Sequence, residues 1–414
     1  MRLPKLRLHW KTVLLFLTVA GPGIITSNVD NDAGGIATYS MAGAHFGYKL
    51  LWSLIPIMLA LIIVQEMSAR MGVVTGKGLS DLIRERFGVK ITVYLLFAVV
   101  LTNFGNVIAE FAGVASSLEI FRVSKYLSVP AAAVIVWLLV VKGTYRSVEK
   151  IFLYACLFYI TYIVAGFLAK PDWGTIGRNF ISPDVAFTSE SIGMIIGLVG
   201  TTIAPWMQFY LQAAIVEKNI AVKNYRLARM DVIIGSFGVT LIAAFIVLTC
   251  AATLFKAGFR IETAADAAQA LRPLAGKYTS ALFAFGLLNA SLFAASILPL
   301  STSFVVCEAM GWENGVDKKF SEAPQFYGLY SMLIFLGAGI VLIPNIPLFP
   351  VMYLSQVLNG ITLPLILVFM LKLTNDKKLM GEYVNKKGYN IVAGVTIIIL
   401  VALTVVYLGL LLGL

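Results

Sequence analysis

Charged residues are scarce in this sequence. Asp, Glu, Lys and Arg together make up 13% of the 414 residues, whereas hydrophobic residues make up 59%. Soluble domains average about 25% charged and about 45–50% apolar residues. Because the mean hydropathy is +0.88 over the whole chain, the apolar excess is not confined to one segment. This composition excludes a soluble enzyme with a single anchor and a disordered protein, and it predicts a polytopic membrane protein.

Cysteine and histidine are also rare, and the patterns of common catalytic sites are missing. The three cysteines, Cys156, Cys250 and Cys307, lie inside apolar runs, which is typical of buried structural thiols rather than a disulfide scaffold. The two histidines, His9 and His45, are predicted to lie in the N-terminal tail and at an outer helix end. No zinc-protease, serine-hydrolase or nucleotide-binding-loop pattern occurs. We therefore expect no enzyme, no ATP-driven pump and no cofactor.

Eleven apolar segments have the length of a membrane-spanning helix, which requires about 20 residues. The first begins like a signal peptide, but no small-residue cleavage site follows it, so we assign it to the first span. The segments lie near residues 12–43, 49–72, 92–120, 127–142, 150–169, 188–217, 230–256, 278–310, 325–343, 347–372 and 389–413.

Lysine and arginine are concentrated in alternate connections between these spans. Most of the 32 lie on one side of the membrane if the N-terminus is inside. Because inner loops of membrane proteins are rich in Lys and Arg, we predict a cytoplasmic N-terminus and an extracellular or periplasmic C-terminus in the plasma (inner) membrane. The net charge of +11 reflects this topology rather than nucleic-acid binding. The bilayer is therefore the expected partner, and a monomer is the default state.

Two of the predicted spans contain residues that should interrupt a helix. The first span places Asp30, Asn31 and Asp32 at mid-membrane depth. An Asp at a helix centre costs roughly 2.5–3.5 kcal/mol on insertion scales, so these side chains should face a cavity or a bound cation. In the sixth span, Pro205 should open the helix near residues 201–204 because proline lacks the backbone donor.

Broken helices five spans apart are typical of transporters built from two inverted repeats with a site at the bilayer midplane. We predict an all-α protein with one transmembrane domain over residues 1–414, repeats at 12–170 and 188–372, and an additional eleventh helix at 389–413. The first half-helix ends in freed carbonyl groups beside two aspartates. The predicted substrate is therefore a cation.

The first span also resembles a known family. The run from Gly21-Pro22-Gly23 through Asp32-Ala33-Gly34-Gly35 to Phe46-Gly47-Tyr48 is similar to the first helix of the Nramp family, and weaker matches follow at Ala109-Glu110-Phe111 and Ser355-Gln356-Val357. The resemblance implies a LeuT-like fold with eleven helices, two inverted five-helix repeats and proton-coupled transport of divalent transition metals.

Departures from the family signature change the implied substrate. The family's Asp-Pro-Gly-Asn reads Asp32-Ala33-Gly34-Gly35, and its Met-Pro-His reads Ala204-Pro205-Trp206. Ala204 removes a soft thioether that favours transition metals, and Gly35 opens volume. A wider site lined by oxygen atoms suits Mg²⁺, which usually keeps several waters. These substitutions resemble the Nramp-related magnesium transporters, which implies transport of Mg²⁺ and also Mn²⁺.

The candidate site residues come from the two breaks and from span ten. Gln356 is placed near the metal by the resemblance, and Asn359 lies on the same helix face, although helix–helix hydrogen bonding is an equal alternative for this pair. The predicted metal-site residues are Asp32, Gln356, Asn359, the carbonyls of Val29 and Thr201, and Gln208 through water; the cavity is lined by Gly35, Ala204 and Trp206, and the entry path by Asp30 and Asn31.

The proton relay that the resemblance implies is incomplete. The family uses a histidine in span six and acidic residues in span three, and two of those positions are Trp206 and Val107 here. Glu110 remains as a residual proton site. We therefore predict an uncoupled, electrogenic uniporter for a partly hydrated ion, driven by about 2.3 kcal/mol per charge per 100 mV of membrane potential.

Four other functions stay open. An ordinary proton-coupled Nramp transporter of Mn²⁺ or Fe²⁺ would tolerate the substitutions at Gly35 and Ala204. A cation-coupled carrier of an organic solute would require donor groups, and the paired aspartates argue against it. An intramembrane enzyme would rely on Glu66, Glu110 or Glu308, but no catalytic pattern accompanies them. A channel is the fourth alternative.

Overall fold

Helices account for the secondary structure of the residues that the structure describes. A computed structural model describes residues 22–142, 159–181, 186 and 188–412, and these contain helices and turns but no strand. Within them, eight helical stretches are long and apolar enough to cross a membrane, and Lys125–Val141 is a shorter apolar helix. The first part of the first predicted span, residues 143–158 with Cys156, and His9 lie outside the described residues.

The helices of the described residues are given in chain order. They are α1 (Pro22–Val29), α2 (Ala33–Phe46), α3 (Leu54–Thr75), α4 (Leu79–Phe87), α5 (Val89–Glu119), α6 (Lys125–Val141), α7 (Ile160–Leu168), α8 (Trp173–Ile181), α9 (Ser189–Thr202), α10 (Pro205–Glu217), α11 (Tyr225–Cys250), α12 (Ala264–Ala268), α13 (Arg272–Ala275), α14 (Thr279–Met310), α15 (Pro324–Val341), α16 (Leu348–Thr374), α17 (Lys377–Met380) and α18 (Lys387–Leu411).

Both predicted interruptions are present. The first interruption separates α1 from α2. Asp32 is the N-cap of α2, and its side chain accepts a hydrogen bond from the Gly35 backbone N–H. The second separates α9 from α10, where Ala204 is extended and Pro205 occupies the first turn of α10. Each residue type suits its place, since aspartate accepts from the free N–H groups of a helix start and proline has no N–H to leave unpaired.

The half-helix α1 is fixed at its start by a buried carboxylate of α11. Asp231 Oδ2 accepts a hydrogen bond of 2.7 Å from the Gly23 backbone N–H, and its Oδ1 lies 3.4 Å from the Ile24 backbone nitrogen. A β-carbon on Gly23 would lie 2.8 Å from the Val232 nitrogen. The two backbones therefore touch, and Asp231 satisfies donors that the start of a helix otherwise leaves free.

Glycines also bring the second break against α16. A β-carbon on Gly200 of α9 would clash with the carbonyl oxygen of Gln356, and one on Gly360 would clash with the carbonyl oxygen of Ile196. Membrane helices approach this closely only where small residues face each other. The α9–α16 contact therefore places Gln356 beside both breaks.

We expect Gly200→Ala to lower the melting temperature of the purified protein by several degrees, because the added methyl group must separate α9 from α16. Overpacking of this kind costs about 1–3 kcal/mol. Gly238→Ala is the matched control, since a β-carbon at that position would meet no atom of a neighbouring element within 4 Å. Equal melting temperatures for the two variants would contradict the close contact.

Candidate metal site

Asp32 is held in place from two sides. Its Oδ1 accepts a hydrogen bond of 2.6 Å from the Gly35 backbone N–H. Glu110 of α5 accepts one of 3.2 Å from the Ala33 backbone N–H, and its carboxyl group faces that of Asp32 within hydrogen-bonding reach. The carboxylate predicted to contact the metal is therefore also the cap of α2 and the neighbour of a second carboxyl group.

Oxygen atoms of both breaks converge above Gly35. A β-carbon built on Gly35 would clash with the carbonyl oxygen of Asp30 and would lie 3.2 Å from Thr201 Oγ1 and 3.4 Å from Asp32 Oδ1. The Thr201 hydroxyl is buried and has no hydrogen-bond partner among the described residues. A carbonyl, a hydroxyl and a carboxylate are the donors that hard cations such as Mg²⁺ bind. The missing side chain of Gly35 is what allows the Asp30 carbonyl to approach the start of α2 this closely.

Gln356 and Asn359 have different surroundings. The Gln356 amide lies directly over Gly34, where a β-carbon would clash with its Nε2. Asn359 exchanges hydrogen bonds of 2.9 and 3.1 Å with Asn106 of α5 and donates another of 2.8 Å to Gln356 Oε1. Gln356 thus reaches the first break, whereas the amide of Asn359 forms hydrogen bonds that connect α16 to α5. The role of Asn359 as a metal ligand stays a prediction, and Asn106 is the partner that the alternative of helix–helix hydrogen bonding requires.

Asn106 was not among the site residues predicted from the sequence. It lies one turn before Glu110 on α5, so the two side chains share a helix face. The spacing of Asn106 and Glu110 could have indicated that Asn106 lies near the site, but it could not indicate that Asn106 pairs with Asn359 of α16.

Besides the Thr201 hydroxyl, the second break contributes another acceptor without a partner in the described part of the chain. Gln208 Nε2 donates to the Ala204 carbonyl at 3.3 Å, while its buried Oε1 has no hydrogen-bond partner there. Trp206 is buried, with its ring 6.2 Å from that of Tyr210 and its carbonyl accepting from Ser301. Trp206 therefore forms part of a wall, and Gln208 keeps an oxygen available for an ion's water.

The residues predicted for the entry path are buried. Asp30 and Asn31 are 2% and 0% exposed, and neither side chain has a hydrogen-bond partner within the described ranges. The Asn31 carbonyl accepts a hydrogen bond of 2.8 Å from the Tyr159 hydroxyl. Val29, the last residue of α1, is also buried. In this structure the whole break is closed to solvent, so an entry path would require another conformation.

The donor set is poor in the ligands that transition metals prefer. Among the described residues, no group of three or more His, Cys, Asp or Glu is arranged to hold a metal ion. The buried cysteines Cys250 and Cys307 are not in disulfides, as predicted. The site can therefore offer a carboxylate with neutral oxygen atoms, an arrangement that suits an ion which keeps part of its water.

We expect Asn359→Ala to lower the free energy of unfolding by about 1–3 kcal/mol, because it leaves the Asn106 amide buried without its partner. Asn106→Ala should cost a similar amount, and the double variant should cost clearly less than the sum. Thermal unfolding of the four proteins measures this coupling. Additive costs, together with loss of metal binding in Asn359→Ala alone, would instead make Asn359 a ligand.

Comparison with known proteins extends over nearly the whole chain. Residues 23–409 match the family described as natural resistance-associated macrophage protein-like, Nramp. The divalent metal cation transporter MntH of Deinococcus radiodurans is 28% identical, covering 97% of this chain and 91% of that protein. MntH of Bacillus subtilis is 26% identical, with coverages of 94% and 91%.

Solved structures of similar shape show the fold. A manganese transporter of Eremococcus coleocola superposes with a TM-score of 0.77 at 21% identity, covering 98% of this chain and 88% of that one. MHP1, a nucleobase-cation-symport-1 family transporter, superposes with a TM-score of 0.61 at 13% identity, covering 95% and 92%. The fold is therefore LeuT-like, as the first helix predicted, and the chain is a multi-pass integral membrane protein. By its match over residues 23–409, the chain belongs to the Nramp family.

Proposed function

We propose that this protein is a transporter of divalent cations, chiefly Mg²⁺ and also Mn²⁺, and that it belongs to the magnesium-transporting branch of its family. The observation that carries the proposal is the group of oxygen atoms above Gly35, which includes Asp32 and Thr201. The relatives named as divalent metal cation transporters support transport rather than enzyme activity.

The preference for Mg²⁺ rests on the missing soft ligand. Ala204 is the buried N-cap of α10, and no side-chain atom beyond its β-carbon can reach an ion. Without a thioether, nothing at this position favours a transition metal over a hard cation. The oxygens of Thr201 and Gln208, which have no partner among the described residues, suit an ion that keeps several waters.

Uncoupled, electrogenic uptake follows from the missing relay. Trp206 cannot accept and release a proton. Of the two relay positions in span three, one is Val107, so Glu110 is the acid that remains there. The membrane potential alone supplies about 4.6 kcal/mol per 100 mV for a divalent ion, twice the value for one charge. The second candidate, proton-coupled Mn²⁺ transport, is favoured by the contact between the carboxyl groups of Glu110 and Asp32.

The membrane arrangement is part of the proposal. A cytoplasmic N-terminus in the plasma membrane fits the distribution of Lys and Arg. Inverted repeats over residues 12–170 and 188–372 would relate the two broken helices, with α18 outside the repeats. A single chain then contains the complete site, so a monomer suffices.

We expect saturable Mg²⁺ entry into proteoliposomes that contain the purified protein, without any change in lumenal pH. Asp32→Ala should abolish entry because it removes the carboxylate at the first break. The measurement follows Mg²⁺ and lumenal pH in the same vesicles. Proton movement that tracks Mn²⁺ entry, with no Mg²⁺ entry, would instead establish the second candidate.

We expect Ala204→Met to shift selectivity toward soft ions, because it introduces a thioether at the start of α10. Cd²⁺ should inhibit uptake by this variant at concentrations at least tenfold lower than in the wild type. Ala214→Met, further along the same helix, is the matched control. Unchanged Cd²⁺ inhibition in Ala204→Met would show that position 204 does not face the ion.

A further inference from the structure

Asp30 is an unusual buried acid. Its side chain is 2% exposed, and both carboxylate oxygens are buried without a hydrogen-bond partner in the described part of the chain. Two other buried acids are paired: Asp231 accepts from the start of α1, and Glu66 forms an ion pair of 3.2 Å with Arg70. Asp30 therefore differs from these acids in having no group among the described residues that stabilises its charge.

A buried carboxylate without a partner is costly. Removing an ionised group from water costs far more than removing a neutral one, unless an opposite charge or donors compensate. The described neighbours of Asp30 do not compensate. The Tyr39 hydroxyl is near both Asp30 and Asp32, but its hydrogen bond of 2.8 Å is with the Thr202 hydroxyl and not with Asp30. The Asn31 side chain has no partner of its own within the same ranges.

The position of Asp30 connects it to the ion site. Its backbone carbonyl is one of the oxygen atoms that converge above Gly35, beside Asp32 Oδ1 and the Thr201 hydroxyl. The carboxylates of Asp30 and Asp32 are also close enough for their charges to repel each other. An ion at Gly35 would contact the backbone carbonyl of Asp30, so the carboxylate of the same residue belongs to the immediate surroundings of the ion.

We propose that Asp30 is the second anionic group of the cation site and acts through the ion's water shell. This inference rests on the proposed function and adds to it the charge count of the site. With Asp32, Asp30 supplies the two negative charges that a bound divalent cation neutralises. Such a site favours a divalent over a monovalent ion, because a monovalent ion leaves one buried charge uncompensated.

The test compares Asp30→Asn with the wild-type chain and with Asp231→Asn. Binding of MgCl₂ and of MnCl₂ is measured by calorimetry, and melting temperature is measured in metal-free buffer. We expect Asp30→Asn to weaken Mg²⁺ binding by tenfold or more and to raise the metal-free melting temperature, because an uncompensated charge is removed. Asp231→Asn should do the opposite: it keeps one acceptor oxygen but loses the other capping hydrogen bond and melts earlier, while Mg²⁺ binding stays within threefold.

Each other outcome separates the two claims. If the wild type binds neither metal, the proposed function fails and this inference fails with it. If the wild type binds Mg²⁺ and Asp30→Asn binds it with less than a tenfold loss, only the inference is overturned. A lower metal-free melting temperature for Asp30→Asn, or failure of that variant to fold, would make Asp30 a structural acid and would also overturn it.

Discussion

The structure depends on the cap that Asp32 provides for α2. A chain that leaves the helical conformation inside a membrane must satisfy its free N–H groups from within the protein. Asp32 accepts from Gly35, and Glu110 accepts from Ala33, so the start of α2 is satisfied by carboxylates. The carbonyl of Asp30 and the hydroxyl of Thr201 then remain as acceptors. The same atoms that stabilise the break therefore create a place for a cation.

Small residues around the breaks let the other helices reach that place. Gly200 allows α9 to touch the backbone of α16, and Gly34 leaves room for the Gln356 amide. Gly113 of α5 faces Ala33, where an added β-carbon would clash. Packing at this distance brings Glu110 and Gln356 to the first break from two separate helices. The site is thus assembled by helix contacts and not by one contiguous segment.

The sequence was most informative where one residue determines the local backbone. Pro205 and the Asp30–Asp32 run predicted both interruptions, because proline and buried acids are incompatible with an uninterrupted apolar helix. The all-α, LeuT-like fold was also predictable, from the motif in the first span. The described residues do not establish the count of eleven spans, since three of the predicted segments extend outside them. Side-chain pairing was far less predictable: the spacing of Gln356 and Asn359 gives a shared helix face, but it does not say that Asn106 of α5 pairs with one of them. Helix faces follow from periodicity, whereas partners depend on how helices dock.

The central claim is that a divalent cation binds at the first break beside Asp32. The most direct measurement is anomalous X-ray scattering from crystals grown with Mn²⁺, because the peak locates the ion independently of transport. The account predicts one strong site within coordinating distance of Asp32, next to Gly35 and Thr201. A protein that transports Mn²⁺ but shows its ion elsewhere, with the first break unoccupied, would contradict the account.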